Sequence, residues 1–227
     1  MIEVKNLYKT FKNGQVETTV LKDIDFKIEE GEFIAIMGRS GAGKSTFMYQ
    51  LSLLDEPTRG QITIDGIRTD TMSNEAKTLF RLSRLGYVFQ DYALIPELTA
   101  AENVALPLLM QGMPTKKAFE TAKKALNTVG LKDHMNQLPS QLSGGEQQRV
   151  SISRAIAHNP DILFADEPTA NLDNESSRTI MGIFKELHKQ GQTIIMVTHE
   201  PEYGEMAEKI VTLDDGQIVK VKKSASA

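Results

Sequence analysis

A glycine-rich segment between an apolar strand and a helix constrains this chain more than any other feature of its sequence. The segment reads GRSGAGKST at residues 38–46, and the apolar run FIAIM precedes it. A short, continuously apolar run is typical of a strand buried on both faces, and the residues from 44 to 54 have the pattern of a helix. A strand, a glycine-rich turn and a helix in this order predict a loop that binds phosphate groups.

The loop carries the residue types that phosphate binding needs. It fits the pattern GxxxxGK[ST], which fixes two glycines, a lysine and a hydroxyl residue. Glycine lets backbone amides curl around phosphate oxygens because no Cβ stands in the way. We expect Lys44 to reach the β- and γ-phosphates of a nucleoside triphosphate and the Ser45 hydroxyl to bind Mg²⁺. The residues expected to contact the nucleotide are Gly38, Arg39, Ser40, Gly41, Ala42, Gly43, Lys44, Ser45 and Thr46.

Two adjacent acidic residues follow a second buried strand. The stretch ILFADEP at residues 162–168 is four apolar residues, two carboxylates and a proline that stops the strand. We expect Asp166 to hold Mg²⁺ and Glu167, pointing the other way, to orient and deprotonate an attacking water. Strand ends also carry acids without a catalytic role, and the loop upstream favours the catalytic interpretation. A glutamate at this position, rather than a glutamine, indicates a chain able to hydrolyse ATP.

Two further polar residues stand at strand ends. His199 follows the apolar run TIIMVT, at the carboxyl end of a strand, where parallel sheets bind their ligands. A histidine there can hydrogen-bond the γ-phosphate. Gln90 ends the short apolar strand GYVFQ, and its amide can coordinate Mg²⁺ and the lytic water. The remaining histidines are expected to have surface or packing roles: His134, His158 and His188.

The stretch LSGGEQQR at residues 142–149 allows two interpretations. Ser143 and Glu146 have the spacing of a capping box, in which each satisfies a free amide of a helix N-terminus. A helix N-terminus that opens on two glycines is also a site for a phosphate group, because its free amides and its dipole favour an anion. Taken alone, this stretch favours the capping box.

Taken together and in this order, the loop, Gln90, LSGGEQQR, the two acids and His199 resemble the ATP-binding cassette of ABC transporters. The resemblance covers essentially the whole chain, and the serine-glycine-glycine signature separates this family from other phosphate-loop proteins. It implies a homodimer that forms on ATP binding, with two ATP–Mg²⁺ held between head-to-tail copies. Ser143, Gly144 and Gly145 would complete the nucleotide site of the partner subunit, and the capping box can hold at the same time.

The same resemblance implies roles for two more residues. Phe11 falls where the family places an aromatic ring that stacks on adenine; a core position at a strand end is the alternative. Asp173, in the stretch NLD, would lie at the dimer interface and link the two sites. In this chain Ala170 and Asn171 come directly before Leu172. The family more usually has Ser or Gly at the first of these two positions and Ala at the second.

The order of predicted elements gives the fold class. Strands that alternate with helices imply an α/β fold, a P-loop NTPase core with a mainly parallel sheet. Alternating apolar and polar residues before residue 33 predict an N-terminal antiparallel β subdomain, and the mostly helical stretch from 91 to 158 predicts an inserted helical lobe. We therefore expect one ABC ATP-binding domain over 1–227, with a core of 1–90 and 159–227. The tail KVKKSASA is expected to fray.

Composition excludes several other classes of protein. Acidic residues number 30 against 26 basic ones, a net charge of −4, which argues against a broad basic face for nucleic acid. Cysteine is absent, so neither disulfides nor thiol chemistry are expected. We also expect no signal peptide and no membrane span, since no apolar run is long enough. Any action at a membrane would then pass through a partner.

Residues 87–112 are the segment expected to face such a partner. Its apolar run, broken by Pro107, is also compatible with plain packing. The segment, and LTAAENVALPLL within it, resembles the branch that contains the macrolide-export, lipoprotein-release and cell-division ATPases and the antimicrobial-peptide resistance transporters. The resemblance implies an integral membrane permease that contacts residues 87–112, with this chain at the cytoplasmic face of the membrane. ATP-driven closure would power export, extraction of lipoproteins or peptides, or the transmission of mechanical motion. The alternative is a soluble ABC-type ATPase with no transport role.

Overall fold

The structure is a computed structural model and describes residues 1–14 and 16–224. The chain divides into two compact units, and each is described by itself. The first unit comprises residues 1–79 and the chain from Gly191 onward, and the second comprises residues 80–190. The last three residues of the tail that was expected to fray, 225–227, lie outside the described residues.

Strands and helices alternate along most of the chain. The strands are β1 Ile2–Asn13, β2 Val16–Ile28, β3 Phe33–Met37, β4 Arg59–Ile64, β5 Ile67–Arg68, β6 Leu85–Val88, β7 Ile162–Asp166, β8 Thr193–Val197, β9 Lys209–Asp214 and β10 Gln217–Lys223. The α-helices are α1 Lys44–Leu51, α2 Asn74–Arg84, α3 Ala100–Met110, α4 Thr115–Thr128, α5 Gly144–Ile156, α6 Asn174–Lys189 and α7 Pro201–Gly204. Single 3₁₀ turns cover Thr69–Thr71, Lys132–His134 and Pro139–Gln141.

An antiparallel sheet, in the order β2-β1-β4-β5, forms one part of the first unit. Its strands alternate buried apolar and exposed polar residues, as a sheet with one covered face requires. Ile2 of β1 pairs with Ile28 of β2 on one side and Ile64 of β4 on the other, so the apolar residues share a face. The sheet packs on α1, where the rings of Phe26 and Phe47 meet edge to face with centroids 6.5 Å apart. The N-terminal antiparallel subdomain is therefore confirmed.

The first unit also holds parallel strands, in the order β10-β9-β3-β8. Strand β3 runs parallel to both β9 and β8, and β10 pairs antiparallel with β9. The apolar runs of β3 and β8 are almost fully buried, which explains why their sequences do not alternate. The carboxyl ends of these parallel strands therefore face the same way.

The second unit contains the parallel pair β6 and β7 together with α3, α4, α5 and α6. Helix α5 packs against β6 so closely that a Cβ on Gly86 would lie 2.4 Å from the carbonyl oxygen of Ala155. Helices α3, α4 and α5 also contact one another. They lie between β6 and β7 in the chain, so the predicted helical insertion is confirmed, as is the α/β class.

Two local expectations were wrong. Strand β6 ends at Val88, so Gln90 lies beyond the strand, because the carbonyl of Phe89 accepts a hydrogen bond from the amide of Tyr92 and the chain turns. The tail does not fray from Lys220, since residues 217–223 form strand β10 and Ser224 is buried. Most β10 side chains are exposed, so the strand depends on backbone pairing with β9, which side-chain patterns do not reveal.

Candidate functional site

The predicted phosphate loop connects β3 to α1, as its sequence requires. Its glycines take backbone angles that favour glycine, with φ of 77° at Gly41 and 95° at Gly43. Gly43 is the N-cap of α1, and within the described residues no side chain caps this helix. The loop therefore ends on helix amides that no side-chain cap covers, a geometry that suits an anion.

A buried cation lies in the same loop. Lys44 is 8% exposed, and its Nζ donates a hydrogen bond to the carbonyl oxygen of Arg39 at 3.1 Å. A buried ammonium group is costly unless charge or hydrogen bonds compensate it. The loop thus holds a positive charge beside a helix N-terminus, which fits a triphosphate.

Two of the loop glycines are also required by packing. A Cβ on Gly38 would lie 2.2 Å from the carbonyl oxygen of Leu213, at the end of β9. A Cβ on Gly43 would lie 3.0 Å from both the carbonyl oxygen of Val20 and the side chain of Leu21, on β2. Neighbouring strands therefore fix the loop in place.

We predict that Gly38→Ala destabilises the protein much more than Gly41→Ala. Alanine at 41 meets nothing within 4 Å and costs only its left-handed backbone, about 1–2 kcal/mol. That loss lowers the melting temperature by about 2–8 °C in a chain of this size. Alanine at 38 must displace a backbone carbonyl and should lower it at least twice as far, or prevent folding. Thermal unfolding followed by circular dichroism measures both, and equal melting temperatures would contradict the packing argument.

The first unit holds two further candidates, His199 and Phe11. Strand β8 pairs with β3, and the amide of Thr198 donates to the carbonyl of Ile36 at 3.2 Å, so His199 follows at the same strand end as the loop. The His199 side chain is exposed. Phe11 is 46% exposed on β1, opposite Thr18, and Lys9 Nζ lies 4.9 Å from its ring centroid. An exposed ring is available for stacking, which favours that interpretation over a core position.

The second unit brings together the candidates from β6 and β7. These strands pair in parallel, Val88 opposite Ala165, so Gln90 and the acids that end β7 emerge at the same edge. Asp166 is the last residue of β7 and is 7% exposed. Glu167 was expected to continue the strand, but the strand ends before it, and Glu167 has a left-handed backbone with φ of 43°. Its side chain is half-buried.

Helix α5 begins at the predicted capping box, which is confirmed. Ser143 is the N-cap: its Oγ accepts from the amide of Glu146 at 3.3 Å. The Glu146 carboxylate accepts from the Ser143 amide at 2.8 Å and from its hydroxyl at 2.9 Å. The Ser143 amide, above all, holds the pKa of the Glu146 carboxyl below its usual range. The cap therefore stays ionised at neutral pH, while the serine remains exposed.

The two glycines after this serine allow close contacts with other elements. A Cβ on Gly144 would lie 2.8 Å from the hydroxyl of Tyr92, and one on Gly145 would lie 2.6 Å from Ser176 Oγ. Ser176 in turn donates to Asp173 at 2.7 Å. Asp173 is exposed and caps α6 by accepting from the amides of Ser176 and Glu175, and the bonds from Ser176, above all, lower its pKa. Asp173 therefore adjoins the start of α5.

Sequence reasoning missed three polar residues around these candidates. His134 was expected to have a surface or packing role, and its contact with the capping box was not foreseen: its Nε2 lies 3.1 Å from the Glu146 carboxylate. The Gln148 side chain donates to the carbonyls of Phe89 and Pro168, which adjoin Gln90 and Glu167 in the chain. The Asn171 side chain donates to the carbonyl of Gln90. Only the departure of Asn171 from the family pattern signalled any of them beforehand.

In the part of the chain that the structure describes, none of the helices has the length and apolar content needed to cross a membrane.

Sequence comparison identifies relatives along nearly the whole chain. The profile of the ABC transporter family matches residues 21–170. An uncharacterised ABC transporter ATP-binding protein of Methanocaldococcus jannaschii is 51% identical over 97% of this chain and 99% of its own length. The lipoprotein-releasing system ATP-binding protein LolD of Aquifex aeolicus is 43% identical over 96% of each chain.

A longer relative and a solved structure extend these matches. The macrolide export ATP-binding/permease protein MacB of Aggregatibacter actinomycetemcomitans is 46% identical over 96% of this chain. The match covers only 34% of the length of MacB. The dimeric post-hydrolysis structure of the ATP-binding cassette MJ0796, bound to ADP and Pi, superposes with a TM-score of 0.92 at 41% identity and 98% coverage of both chains.

Proposed function

Since this chain belongs to the ABC transporter family, as an ATP-hydrolysing subunit that powers transport, we propose that two copies close around two ATP–Mg²⁺ and drive a membrane permease. One observation carries the proposal: the chain has two helix N-termini of different character. Helix α1 begins beside the buried Lys44, and α5 begins at the exposed Ser143. The first suits the nucleotide of its own subunit, and the second can reach that of a partner copy.

The phosphate loop binds the triphosphate in this proposal. Its backbone amides and the Lys44 ammonium contact the phosphates, and Phe11 stacks on the adenine. The residues that contact the nucleotide within one subunit are Phe11, Gly38, Arg39, Ser40, Gly41, Ala42, Gly43, Lys44, Ser45, Thr46, Gln90 and His199.

Three oxygen-bearing residues fit Mg²⁺, which prefers hard oxygen ligands. They are the Ser45 hydroxyl at the start of α1, the Asp166 carboxylate at the end of β7 and the Gln90 amide. Mg²⁺, when bound, neutralises charge on the phosphates. Asp166 is almost fully buried, and a bound cation would compensate the cost of burying its carboxylate.

Glu167 orients and deprotonates the attacking water in this proposal, and Gln90 and His199 are the other polar members of the catalytic set. A carboxylate is a suitable base because it can hold the proton that the water loses. His199 contacts the γ-phosphate and Lys44 stabilises its charge, so cleavage removes the ligand that both residues hold.

Closure of the dimer uses the residues at the start of α5. Ser143, Gly144 and Gly145 contact the nucleotide of the partner copy, and Asp173 lies at the interface beside them. ATP binds the closed state better than the open one, so binding closes the dimer and hydrolysis releases it. The domain that does this is proposed to comprise a core of 1–90 and 159–227 and a helical lobe of about 91–158.

Residues 87–112 form the proposed permease contact, which places the chain at the cytoplasmic face of the membrane. Within this segment Asn103 is fully buried and fixes the preceding loop, accepting from the amide of Ile95 at 2.8 Å and donating to the carbonyl of Leu98 at 2.9 Å. Arg154 of α5 donates to the carbonyl of Tyr92 at 2.9 Å. These bonds anchor the loop, and Met110, at the end of α3, is an apolar residue that is 65% exposed.

A photo-crosslinking amino acid tests this contact. We expect crosslinkers at Ile95 and Met110 to form adducts with an integral membrane protein in membranes of the native cell. Val219 on β10, 60% exposed, is the control position and should form none. Adducts are separated by electrophoresis and identified by mass spectrometry. Recovery of the chain without a membrane adduct, or equal adducts from Val219, would contradict the assignment.

A further inference from the structure

Gln148 is a fully buried amide on α5, the helix that begins at the signature serine. Its Nε2 donates to the carbonyl oxygen of Pro168 at 2.8 Å and, less closely, to that of Phe89 at 3.4 Å. Both partners are carbonyls, so only the NH₂ end of the side chain can face them, and its two protons allow one bond to each. Burial and two acceptors fix the orientation of this side chain.

Each of these carbonyls lies one residue from a residue of the proposed catalytic set. Phe89 precedes Gln90, and Pro168 follows Glu167. A second amide joins the same two segments, because Asn171 Nδ2 donates to the carbonyl oxygen of Gln90 at 3.1 Å. The Gln148 and Asn171 side chains, which we call the amide clamp, therefore hold the loop after β7 to the segment that follows β6.

The loop needs such support because its backbone is strained at Glu167. A left-handed conformation costs about 1–2 kcal/mol for a residue other than glycine. The following proline adds to this, since it favours an extended conformation at the residue before it. Such a conformation persists where the surrounding structure holds it. Glu167 has φ of 43°, and the hydrogen bond from Gln148 to the carbonyl oxygen of Pro168, the next residue, helps to keep it in this conformation.

We propose that the amide clamp positions Glu167 and Gln90 for hydrolysis and ties them to the signature helix. This rests on the proposed function, in which Glu167 acts on the ATP of its own subunit and Ser143 acts on that of the partner. Ser143 and Gln148 are five residues apart on one helix, about 7.5 Å along its axis. A helix that contacts one nucleotide thus holds the residues that hydrolyse the other.

Gln148→Met tests the clamp with little change in shape. Methionine keeps the length of the side chain, loses the NH₂ donor and removes Oε1, which has no hydrogen-bond partner among residues 1–14 and 16–224. We expect kcat to fall about 10- to 100-fold, as expected when a general base is misplaced. KM for ATP and ATP affinity should change much less than kcat, because the phosphate loop, which supplies most of the proposed nucleotide contacts, is unchanged.

Gln50→Met is the matched control. Gln50 is also fully buried, its Oε1 is likewise without a partner in the described part of the chain, and its Nε2 donates to Asp55 at 2.9 Å. It should lower the melting temperature as Gln148→Met does while leaving kcat near the wild-type value. If the two variants have the same kcat, Gln148 has only a packing role and the inference is wrong.

Two further variants keep the test decisive. Asn171 is exposed, so Asn171→Ala removes the second bond without a risk to folding, and we expect a several-fold fall in kcat at constant KM. Combining Gln148→Met with Glu167→Gln should reduce single-turnover hydrolysis by less than the product of the separate effects. An unchanged kcat in Asn171→Ala, or full multiplication in the double variant, overturns the clamp. Wild-type turnover in Glu167→Gln alone would instead overturn the proposed function, and with it the clamp.

Discussion

A Glu167→Gln variant is expected to bind ATP normally, hydrolyse it at least a hundredfold more slowly and accumulate as a dimer. Glutamine has the shape of glutamate and can still hydrogen-bond a water, but it cannot take up the proton. General bases contribute about 10²–10⁴-fold to rate, and this sets the expected loss. Because hydrolysis is what opens the dimer in the proposed cycle, the closed state persists when hydrolysis is slow.

Phosphate release and light scattering after size exclusion measure the two parts of this prediction. Turnover is followed with saturating ATP and Mg²⁺, and the molar mass is determined with and without ATP. Glu175→Gln is the control, since Glu175 is an exposed acid in the first turn of α6 and its loss changes the net charge equally. The control should turn over ATP like the wild type. Near-normal hydrolysis by the Glu167 variant would exclude this residue as the base.

The second large effect is expected from Ser143→Arg, which should abolish ATP-dependent dimerisation while the monomer still binds ATP. The serine is exposed at the start of α5, where the proposal places the partner's γ-phosphate. An arginine at this position would be too large to fit between the two copies where a nucleotide joins their surfaces, so the dimer could not close. The phosphate loop lies in the other compact unit and keeps its own contacts, so ATP affinity of the monomer should change by less than a few fold.

The substitution also removes a helix cap, and the chain offers a matched control for that loss. Thr99 caps α3 in the same way: its Oγ1 accepts from the amide of Glu102 at 3.3 Å, and the Glu102 carboxylate accepts from the Thr99 amide at 2.8 Å. Loss of a cap costs about 0.5–2 kcal/mol, so Thr99→Arg should lower the melting temperature similarly. It should still dimerise with ATP.

Dimerisation of Ser143→Arg is best measured in the Glu167→Gln background, where the closed state is long-lived. The comparison is then between two proteins that differ only at the start of α5. An ATP-dependent dimer in the Ser143 variant would count against a role of this residue in the partner's site. Loss of the dimer in both Arg variants would point to general destabilisation.

Features that depend on residues close together in the chain could be predicted from sequence. The phosphate loop is one, because its glycines, Lys44 and Ser45 act over nine consecutive residues between a strand and a helix. The capping box at Ser143 and Glu146 is another, since its bonds span one helical turn. The buried strands β3, β7 and β8 belong here too, because a continuous apolar run has few alternatives to burial on both faces.

Features that depend on which distant segments meet were decided by the tertiary structure. Gln148 and Phe89 are 59 residues apart, and His134 meets Glu146 across a turn that no periodicity describes. Nothing in the sequence distinguishes Gly38 from the other loop glycines, and only the fold shows that Leu213 packs against it. Strand β10 forms through backbone pairing, which its exposed side chains do not indicate. Glu167 was expected to continue the alternation of β7, but hydrogen bonds to the following loop accompany a left-handed turn there. The sequence by itself thus determined which chemistry the chain carries, because motifs are local, whereas the placement of those groups came from long-range packing and hydrogen bonds that local patterns do not encode.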